Sequence, residues 1–293
     1  MNLLNGLAGR PGARWRRTTW VAALSISACA GVSARDGVEV GGNSAWAKLV
    51  PAEQVERAAS QQYLQMLDQA GRQNALGPKD SAQVKRLRAI AQRIIPFAAD
   101  WNPRARDWRW EVNLIGSNQI NAFCMPGGKI AFYSGILNTL KLTDNEVAMV
   151  MGHEIAHALR EHARERMGKN AATGLGANLL SQALGLGQVG QTVTHYGAQL
   201  LTLEFSRQDE SEADLVGMEL AARAGFDPRA GVTLWQKMGA ASKGAPPQWL
   251  STHPSGTRRI AEIEANLPKV MPLYDKAIRT KGTPNPGRPS QGG

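Results

Sequence analysis

Apolar residues follow a helical spacing in two stretches near the start of the chain. The spacing predicts one helix over residues 51–70 and a second over residues 81–101. The residues that mark these helices are Leu64, Met66 and Leu67 in the first, and Val84, Leu87, Ile90 and Ile94 in the second. Alternating residues in RWEVNLIG, at 109–116, predict a strand. The segment INAFCMPGGKIAFYSGIL, at 120–137, predicts two strands joined by a Pro-Gly-Gly turn.

The second half of the chain shows mainly helical signals. Thr143 with Glu146 three residues later forms a capping box, so a helix is expected to begin there and to run to about Met167. Two or three more helices follow, and prolines then restart helices over 228–238 and 254–267. Together these elements predict an α+β fold that is mainly helical, with a small β-sheet or hairpin beside the helix that begins near Thr143.

The N-terminus has the pattern of a secretory signal over residues 1–34. A basic stretch at 10–17 is followed by the apolar and small residues WVAALSISACAGVSA, a run too short for a membrane span of about 20 residues. Two cleavage sites fit this pattern. ISAC, at 26–29, resembles the lipobox of bacterial lipoproteins, in which Cys29 becomes the lipidated first residue, and VSA, at 32–34, fits ordinary cleavage. The lipobox is favoured because cysteine is rare in this chain and Cys29 ends the apolar run.

Composition divides the rest of the chain into three parts. Residues 35–50 contain Gly and Ser and are interpreted as a linker, residues 51–275 as the globular domain, and residues 276–293 as a disordered tail rich in Pro and Gly. Residues 171–203 contain no Asp, Glu, Lys or Arg. Polar residues interrupt this uncharged segment, so we expect buried helices over the functional site, with a membrane-dipping element as the alternative.

The charge distribution argues against a nucleic-acid surface. The net charge is +10, but four basic residues lie in the first 34 residues, where there is no Asp or Glu. The remaining 30 basic and 24 acidic side chains are interspersed, as on an ordinary soluble surface. The two cysteines are Cys29 and Cys124. If Cys29 is lipidated or removed, Cys124 has no partner, so we expect no intramolecular disulfide and a buried thiol within a strand.

The sequence HEIAH, at 153–157, has the pattern of a zinc-protease helix. His153 and His157 are four residues apart, which places both imidazoles on one face of a helix. Glu154 lies beside them and can act as the general base that takes a proton from the attacking water. A catalytic zinc ion takes three protein ligands, so a third ligand must come from elsewhere in the chain.

The segment FSRQDESEADLVG, at 205–217, offers that ligand. On a helix, one face carries small residues together with two carboxylates, and the opposite face is polar and expected to be solvated. The first face comprises Glu210, Ala213, Asp214, Gly217 and Ala221, and the second Gln208, Glu212, Glu219 and Arg223. A buried carboxylate needs a partner or a metal, so Glu210 is predicted to be the third ligand. Asp214, one turn later, is predicted to accept the N–H of a ligand histidine.

Other histidines have structural interpretations. His162 is about 180° around the predicted helix from His153, so it is expected on the surface. His195 lies in the uncharged segment, where packing or hydrogen bonding is favoured over metal binding.

Four motifs together resemble the gluzincin metallopeptidase family that includes the HtpX, Oma-type and Ste-type enzymes. They are HEIAH at 153–157, SRxxExEAD at 206–214, NAFCMPGG at 121–128 and THPSGTRRI at 252–260, in the family's order. The resemblance covers roughly residues 51–268. It is closest to the soluble periplasmic or lipoprotein members of the family, the LoiP- and BepA-like proteases.

The resemblance implies a zincin-like metalloprotease domain with one Zn2+ per chain. The residues that would serve it are His153, His157 and Glu210 as zinc ligands, Glu154 as general base, Asp214 and Arg259 as outer residues near the ligands, and Asn121, Ala122, Phe123, Gly127 and Gly128 as a sheet edge that binds the substrate. Two roles fit His253: it stabilises the oxyanion of the tetrahedral intermediate, or it occupies the open zinc position and keeps the enzyme latent.

The chain is therefore predicted to be a zinc endopeptidase of the bacterial cell envelope. We expect it in the periplasm, lipid-anchored to the outer membrane through Cys29, with unfolded or misassembled envelope proteins as substrates and no nucleic-acid partner. Two alternatives remain from the sequence. One is a metal-stabilised, chaperone-like assembly factor with little proteolysis, and the other is an integral membrane protease that uses residues 171–203.

Overall fold

The structure is a computed structural model that describes residues 36–172, 204–242, 247–253 and 257–282. The predicted signal sequence with Cys29, His195 and nearly all of the uncharged segment lie outside the described residues. Among the helices that are described, none is both long and apolar enough to cross a membrane.

The first helices pack their predicted apolar faces into the core. Helices α1 and α2 span Ala52–Arg72 and Ala82–Ile94, and short 3-10 helices cover Ala45–Leu49, Ile95–Asp100 and Pro103–Arg106. The side chain of Ser81 accepts a hydrogen bond from the backbone N–H of Val84, which fixes the start of α2. The prediction of one helix over 81–101 is wrong beyond Ile94, because Pro96 has no N–H to continue the α-helical pattern.

Three short strands form a mixed sheet. They are β1 (Glu111–Ile115), β2 (Ala122–Met125) and β3 (Lys129–Tyr133), in the spatial order β1-β3-β2. β1 pairs parallel to β3, whereas β2 pairs antiparallel to β3 through the turn at Gly127 and Gly128, which adopt φ of +84° and +78°. The predicted strand–turn–strand is confirmed, except that its last residues begin helix α3 (Ser134–Leu140).

Six further helices complete the described fold: α4 (Asp144–Leu159), α5 (His162–Ala172), α6 (Arg207–Arg223), α7 (Ala230–Ala241), α8 (Gln248–Thr252) and α9 (Thr257–Gly282). The capping box that begins α4 is confirmed, since Thr143 and Glu146 bond to each other's backbone N–H. The predicted continuation of α4 to Met167 is wrong. The helix ends at Leu159, and Glu161 takes a left-handed φ of +59° that turns the chain into α5.

Helix α9 is longer than the sequence pattern indicates. It continues past residue 267 to Gly282 and contains Pro268 and Pro272. Val270 and Leu273 on this extension are buried, and their packing holds the helix beyond the prolines. The tail predicted from residue 276 therefore begins inside a helix.

Helices α4 and α6 form the centre of the domain. They cross at Gly152 and Gly217, so closely that a Cβ added to Gly152 would lie 2.5 Å from the carbonyl oxygen of Gly217. Two glycines at the crossing permit this approach. The helix that carries HEIAH and the helix that carries Glu210 are thereby held backbone to backbone.

Residues 36–50, which we call the strap, pack against α5 and α6 and contact Arg160 at the end of α4. The backbone N–H of Val38 donates to the Glu219 carboxylate at 2.8 Å, and the side chains of Arg160 and Arg164 donate to the carbonyls of Gly41 and Val50. The linker prediction is therefore wrong for this segment. The predicted solvation of Glu219 is also wrong, because the strap buries that carboxylate completely and supplies it with a donor.

Candidate metal centre

The two histidines of HEIAH and the predicted glutamate converge in the interior. His153 and His157 lie on the face of α4 that meets α6, with their Nε2 atoms 3.1 Å apart. The carboxylate of Glu210 on α6 lies 3.6 Å from Nε2 of His153 and 3.4 Å from Nε2 of His157. His253, which follows α8, joins them, and one ligand atom from each of the four residues lies within 4.8 Å of the others.

This donor set fits a zinc ion. Imidazole nitrogens and a carboxylate oxygen are the ligands of catalytic zinc sites, and their convergence in the protein interior is costly without a cation between them. Burial lowers the pKa of His157 well below its usual value, which keeps the ring neutral with a free lone pair. Burial alone would raise the pKa of Glu210, but hydrogen bonds with His157 and His253 outweigh it and hold that pKa well below its usual range. His157 and Glu210 therefore have the protonation states that a metal requires.

Asp214 and Arg259 support this group from one side. Nδ1 of His153 lies 3.0 Å from the Asp214 carboxylate, as the sequence predicted for an outer acceptor. Nε of Arg259 donates to Asp214 at 2.6 Å, and its guanidinium also donates to Glu210. Burial would raise the pKa of Asp214, but the charge of Arg259 and the contact with His153 lower it, so the carboxylate is ionised. One buried arginine thus holds the carboxylates of both Glu210 and Asp214.

Glu154 lies beside the metal group and is held by a tryptophan. The indole N–H of Trp249 on α8 donates to the Glu154 carboxylate at 2.6 Å. Trp249 is fully buried and stacks on Trp235. His253 has Nδ1 3.0 Å from Glu210 and Nε2 3.6 Å from Glu154. Burial would lower the pKa of His253, but the charges of Glu154 and Glu210 raise it.

A cleft of about 250 Å³ opens onto these residues. Glu154, His157 and His253 line it, together with Phe205, which stacks on His157 with a ring-centre distance of 4.0 Å. Strand β2 forms the opposite wall. In the described part of the chain β2 pairs only with β3, so its other edge is available on the cleft side.

The predicted substrate residues divide into two groups. Asn121, Ala122 and Phe123 line the cleft. Gly127 and Gly128 do not, because they form the β2–β3 turn, where Gly128 packs against Trp110. Substrate binding by these two glycines stays a prediction, and their position in the turn does not add to it. Their role is to supply the positive φ of the turn.

His162 is the main site residue that the sequence analysis misplaced. It is buried, and its Nδ1 lies 2.9 Å from Nδ1 of His157. The surface prediction is wrong because it assumed a continuous helix, whereas the chain turns at Glu161. Glu212, predicted to be solvated, is half-buried beside His162 and Arg160. Cys124 is a free, buried cysteine on β2, as predicted.

Trp249 and Phe205 were also missed. A signal for each was present in the sequence, since Phe205 directly precedes the SRxxExEAD motif and Trp249 lies four residues before His253. Neither position follows from helical periodicity, because both side chains are placed by loops and by the short helix α8.

Comparison with known proteins agrees with this geometry. Residues 81–267, which include every member of the metal group, match the model of peptidase family M48. The mitochondrial metalloendopeptidase OMA1 of Arabidopsis thaliana is 42% identical over 150 residues, which cover 51% of this chain and 30% of that protein. OMA1 of Schizosaccharomyces pombe is 39% identical over 166 residues, covering 56% of this chain and 48% of its own length.

A bacterial relative is similar at a comparable level. The beta-barrel assembly-enhancing protease of Escherichia coli strain K12 is 32% identical over 195 residues, covering 60% of this chain and 39% of that protein. The chain thus spans between about a third and a half of the length of these relatives. The family match covers most of the chain and contains both helices that hold the metal group, so this protein belongs to peptidase family M48.

Proposed function

We propose that the protein is a zinc-dependent endopeptidase. The observation that carries this proposal is the buried convergence of His153, His157 and Glu210, with Glu154 beside them in a cleft. One wall of the cleft is strand β2, an edge strand of the sheet that the described residues form. Membership of peptidase family M48 and the metalloendopeptidase names of several relatives support it.

In this proposal His153, His157 and Glu210 hold the zinc ion. A zinc ion held by these residues would supply Lewis-acid polarisation of the scissile carbonyl and would lower the pKa of the attacking water. Glu154 takes the proton of the attacking water and passes it to the leaving amine. The Trp249 indole donates to one oxygen of the Glu154 carboxylate and so fixes the orientation of that group. In this proposal the other oxygen takes the proton.

The substrate is proposed to bind as an extra strand on β2. An extended peptide there would exchange backbone hydrogen bonds with residues 121–123, opposite Glu154. In this binding mode the main contacts are hydrogen bonds to the peptide backbone, so unfolded segments of many different sequences can bind. We therefore propose unfolded or misassembled proteins as substrates.

The cellular setting is proposed from the bacterial relative and the predicted signal. That relative's name places it in beta-barrel assembly, so we propose envelope protein quality control in a bacterial periplasm. Attachment to the outer membrane through Cys29 remains a prediction from the lipobox pattern.

Glu154→Gln tests the mechanism. We expect casein cleavage to fall by roughly 100- to 10,000-fold, because the variant loses the general base. Bound zinc should stay at the wild-type level. Glu264→Gln, at an exposed position on α9, is the matched control and should cleave normally. Cleavage by Glu154→Gln at the wild-type rate would contradict the mechanism. A zinc-loaded wild type that binds casein and never cuts it would favour the chaperone-like alternative.

Zinc content tests the ligand assignment. We expect Glu210→Ala to lose bound zinc after dialysis, because a ligand is removed. Glu212→Ala should retain it, since this side chain contacts His162 and Arg160 instead. Loss of zinc confined to the Glu212 variant would overturn the assignment.

His253→Ala separates the two roles of that residue. If His253 blocks the zinc position, the variant cleaves casein faster than wild type. If it stabilises the oxyanion, kcat falls by roughly 100-fold or more while zinc content is unchanged.

A further inference from the structure

His157 and His162 share a single hydrogen bond between their rings. The two Nδ1 atoms lie 2.9 Å apart, so one nitrogen carries the proton and the other accepts it. Nε2 of His157 points the opposite way, into the metal group beside His153 and Glu210. The proton between the rings therefore decides whether Nε2 of His157 has a free lone pair.

The surroundings of His162 favour one arrangement. Its Nε2 lies 3.5 Å from the Glu212 carboxylate, which is a long electrostatic contact rather than a short hydrogen bond. Glu212 is itself fixed by Nε of Arg160 at 3.1 Å. The Arg160 guanidinium, 3.1 Å away, pairs with this carboxylate and favours its charged form. A carboxylate facing Nε2 favours the N–H there, which leaves Nδ1 of a neutral His162 as an acceptor.

We propose that His162 is a positioning residue for the metal site. It accepts the Nδ1–H of His157 and so fixes the tautomer and the orientation in which Nε2 of His157 faces the metal, while Glu212 and Arg160 hold His162 in place. Outer partners of ligand histidines act in this way in zinc sites, and carboxylates or carbonyls usually provide them. Here the acceptor is a second imidazole. This inference rests on the proposed metal centre.

Zinc affinity measured by competition with a chromogenic chelator is the test. His162→Phe keeps a ring of similar size and removes the acceptor, and we expect zinc to bind roughly 10- to 100-fold more weakly. His162→Asn places an amide oxygen near the position of Nδ1 and should recover most of that loss. Glu212→Gln should weaken binding less than His162→Phe, because the acceptor on His162 remains and an amide oxygen can still face Nε2 of His162.

Asn102→Ala is the matched control for a general loosening of α4. Asn102 is buried and donates to the carbonyl of Leu159 at the end of α4, and among the described residues it makes no hydrogen bond with His157. The Asn102→Ala variant should have a lower unfolding midpoint in the metal-free state and an unchanged zinc dissociation constant. If His162 has only a packing role, His162→Phe will behave in the same way, and the proposal is overturned.

The tautomer of His157 is a second readout that does not involve the metal. With five histidines in the chain, 15N-labelled imidazoles can be assigned in the metal-free protein. We expect Nδ1–H on His157 and Nε2–H on His162, and the opposite tautomer of His157 would overturn the inference. Wild-type protein that binds no zinc would overturn the metal site as well, whereas equal zinc affinity in wild type and His162→Phe would overturn the role of His162 alone.

Discussion

The two histidines of α4 reach the same metal group with supports of different construction. His153 contacts the Asp214 carboxylate directly, and Arg259 fixes that carboxylate from α9. His157 contacts a second imidazole, and Glu212 and Arg160 lie behind it. The first support is a short, buried ion pair within the core. The second is a longer chain of contacts that ends at the strap, through the carbonyl of Gly41.

This difference indicates which side of the site tolerates change. The side chain of Asp214 is 7% exposed and that of Glu212 is 17% exposed, so water can compensate a loss at Glu212 better than one at Asp214. His153 contacts its carboxylate directly, so no side chain between them can shift to compensate a substitution. On the other side, His162 lies between His157 and Glu212. We therefore expect substitutions beside His153 to lower zinc affinity and stability strongly, and substitutions beside His157 to lower them less.

The largest effect is expected for Asp214→Ala. It removes a carboxylate that compensates the buried charge of Arg259, so the free energy of unfolding should fall by about 3–5 kcal/mol. Zinc should also bind roughly 10- to 100-fold more weakly. Urea unfolding of the metal-free protein and chelator competition measure the two losses. Glu212→Ala is the comparison variant, and equal losses in the two variants would mean that the supports do not differ.

Next comes Gly217→Ala, which acts on the crossing that both supports share. The added Cβ would lie 2.5 Å from the backbone nitrogen of His153, so α6 must move away from α4. We expect a loss of about 3 kcal/mol, the upper end for overpacking, with weaker zinc binding. Gly239→Ala on α7 is the control, because its Cβ meets nothing within 4 Å and should stabilise the protein slightly. A Gly217→Ala protein as stable as the control would show that the crossing can widen freely.

Glu219→Gln tests the strap end of the longer support. The variant removes the charge that accepts from the backbone of Val38 and from Arg223, in a fully buried position. We expect a loss of about 2 kcal/mol in urea unfolding. Zinc affinity should change less than in Asp214→Ala, because the metal group is several contacts away. A zinc loss as large as that of Asp214→Ala would indicate that the strap controls the site directly. Glu264→Gln, at an exposed position, should be neutral.

The smallest effect concerns the start of α4, which lies far from both supports. Burial would raise the pKa of Glu146, but hydrogen bonds from Lys237 and from Thr143 lower it below the ordinary 4.5. A lowered pKa in the folded state stabilises the protein above the unfolded value, and that stabilisation is lost as the pH falls through the folded value. We expect Glu146→Gln to cost about 1 kcal/mol at neutral pH. The difference from wild type should vanish in acid, and a difference that grew in acid would contradict the assignment.

The positions of the residues beside His153 could be predicted from the sequence. Glu210 and Asp214 were found because they share one helical face with small residues, and the structure shows that face against α4. Periodicity is informative wherever a helix is continuous. The capping box at Thr143 is equally local, so the start of α4 was also predicted correctly.

The residues that support His157 could not be predicted in the same way. The turn at Glu161 depends on a left-handed residue without glycine, which leaves no mark in the periodicity, and so His162 was assigned to the wrong face. The strap has the Gly and Ser content of a linker. Its packing rests on three buried apolar side chains, Val38, Ala47 and Val50, and on backbone hydrogen bonds to distant arginine and glutamate side chains. Contacts of the backbone with distant side chains are not encoded by local composition.

The strap also bears on the order in which the chain folds. Val38 meets Glu219 across 181 positions of sequence, and Arg160 meets Gly41 across 119. Contacts of such separation close large loops, so we expect them to form after the local helices and the α4–α6 crossing. On this expectation the first part of the domain to be synthesised is among the last to dock. A nascent or partly unfolded chain therefore lacks the last support of His157, and we expect it to gain full metal affinity only when folding is complete.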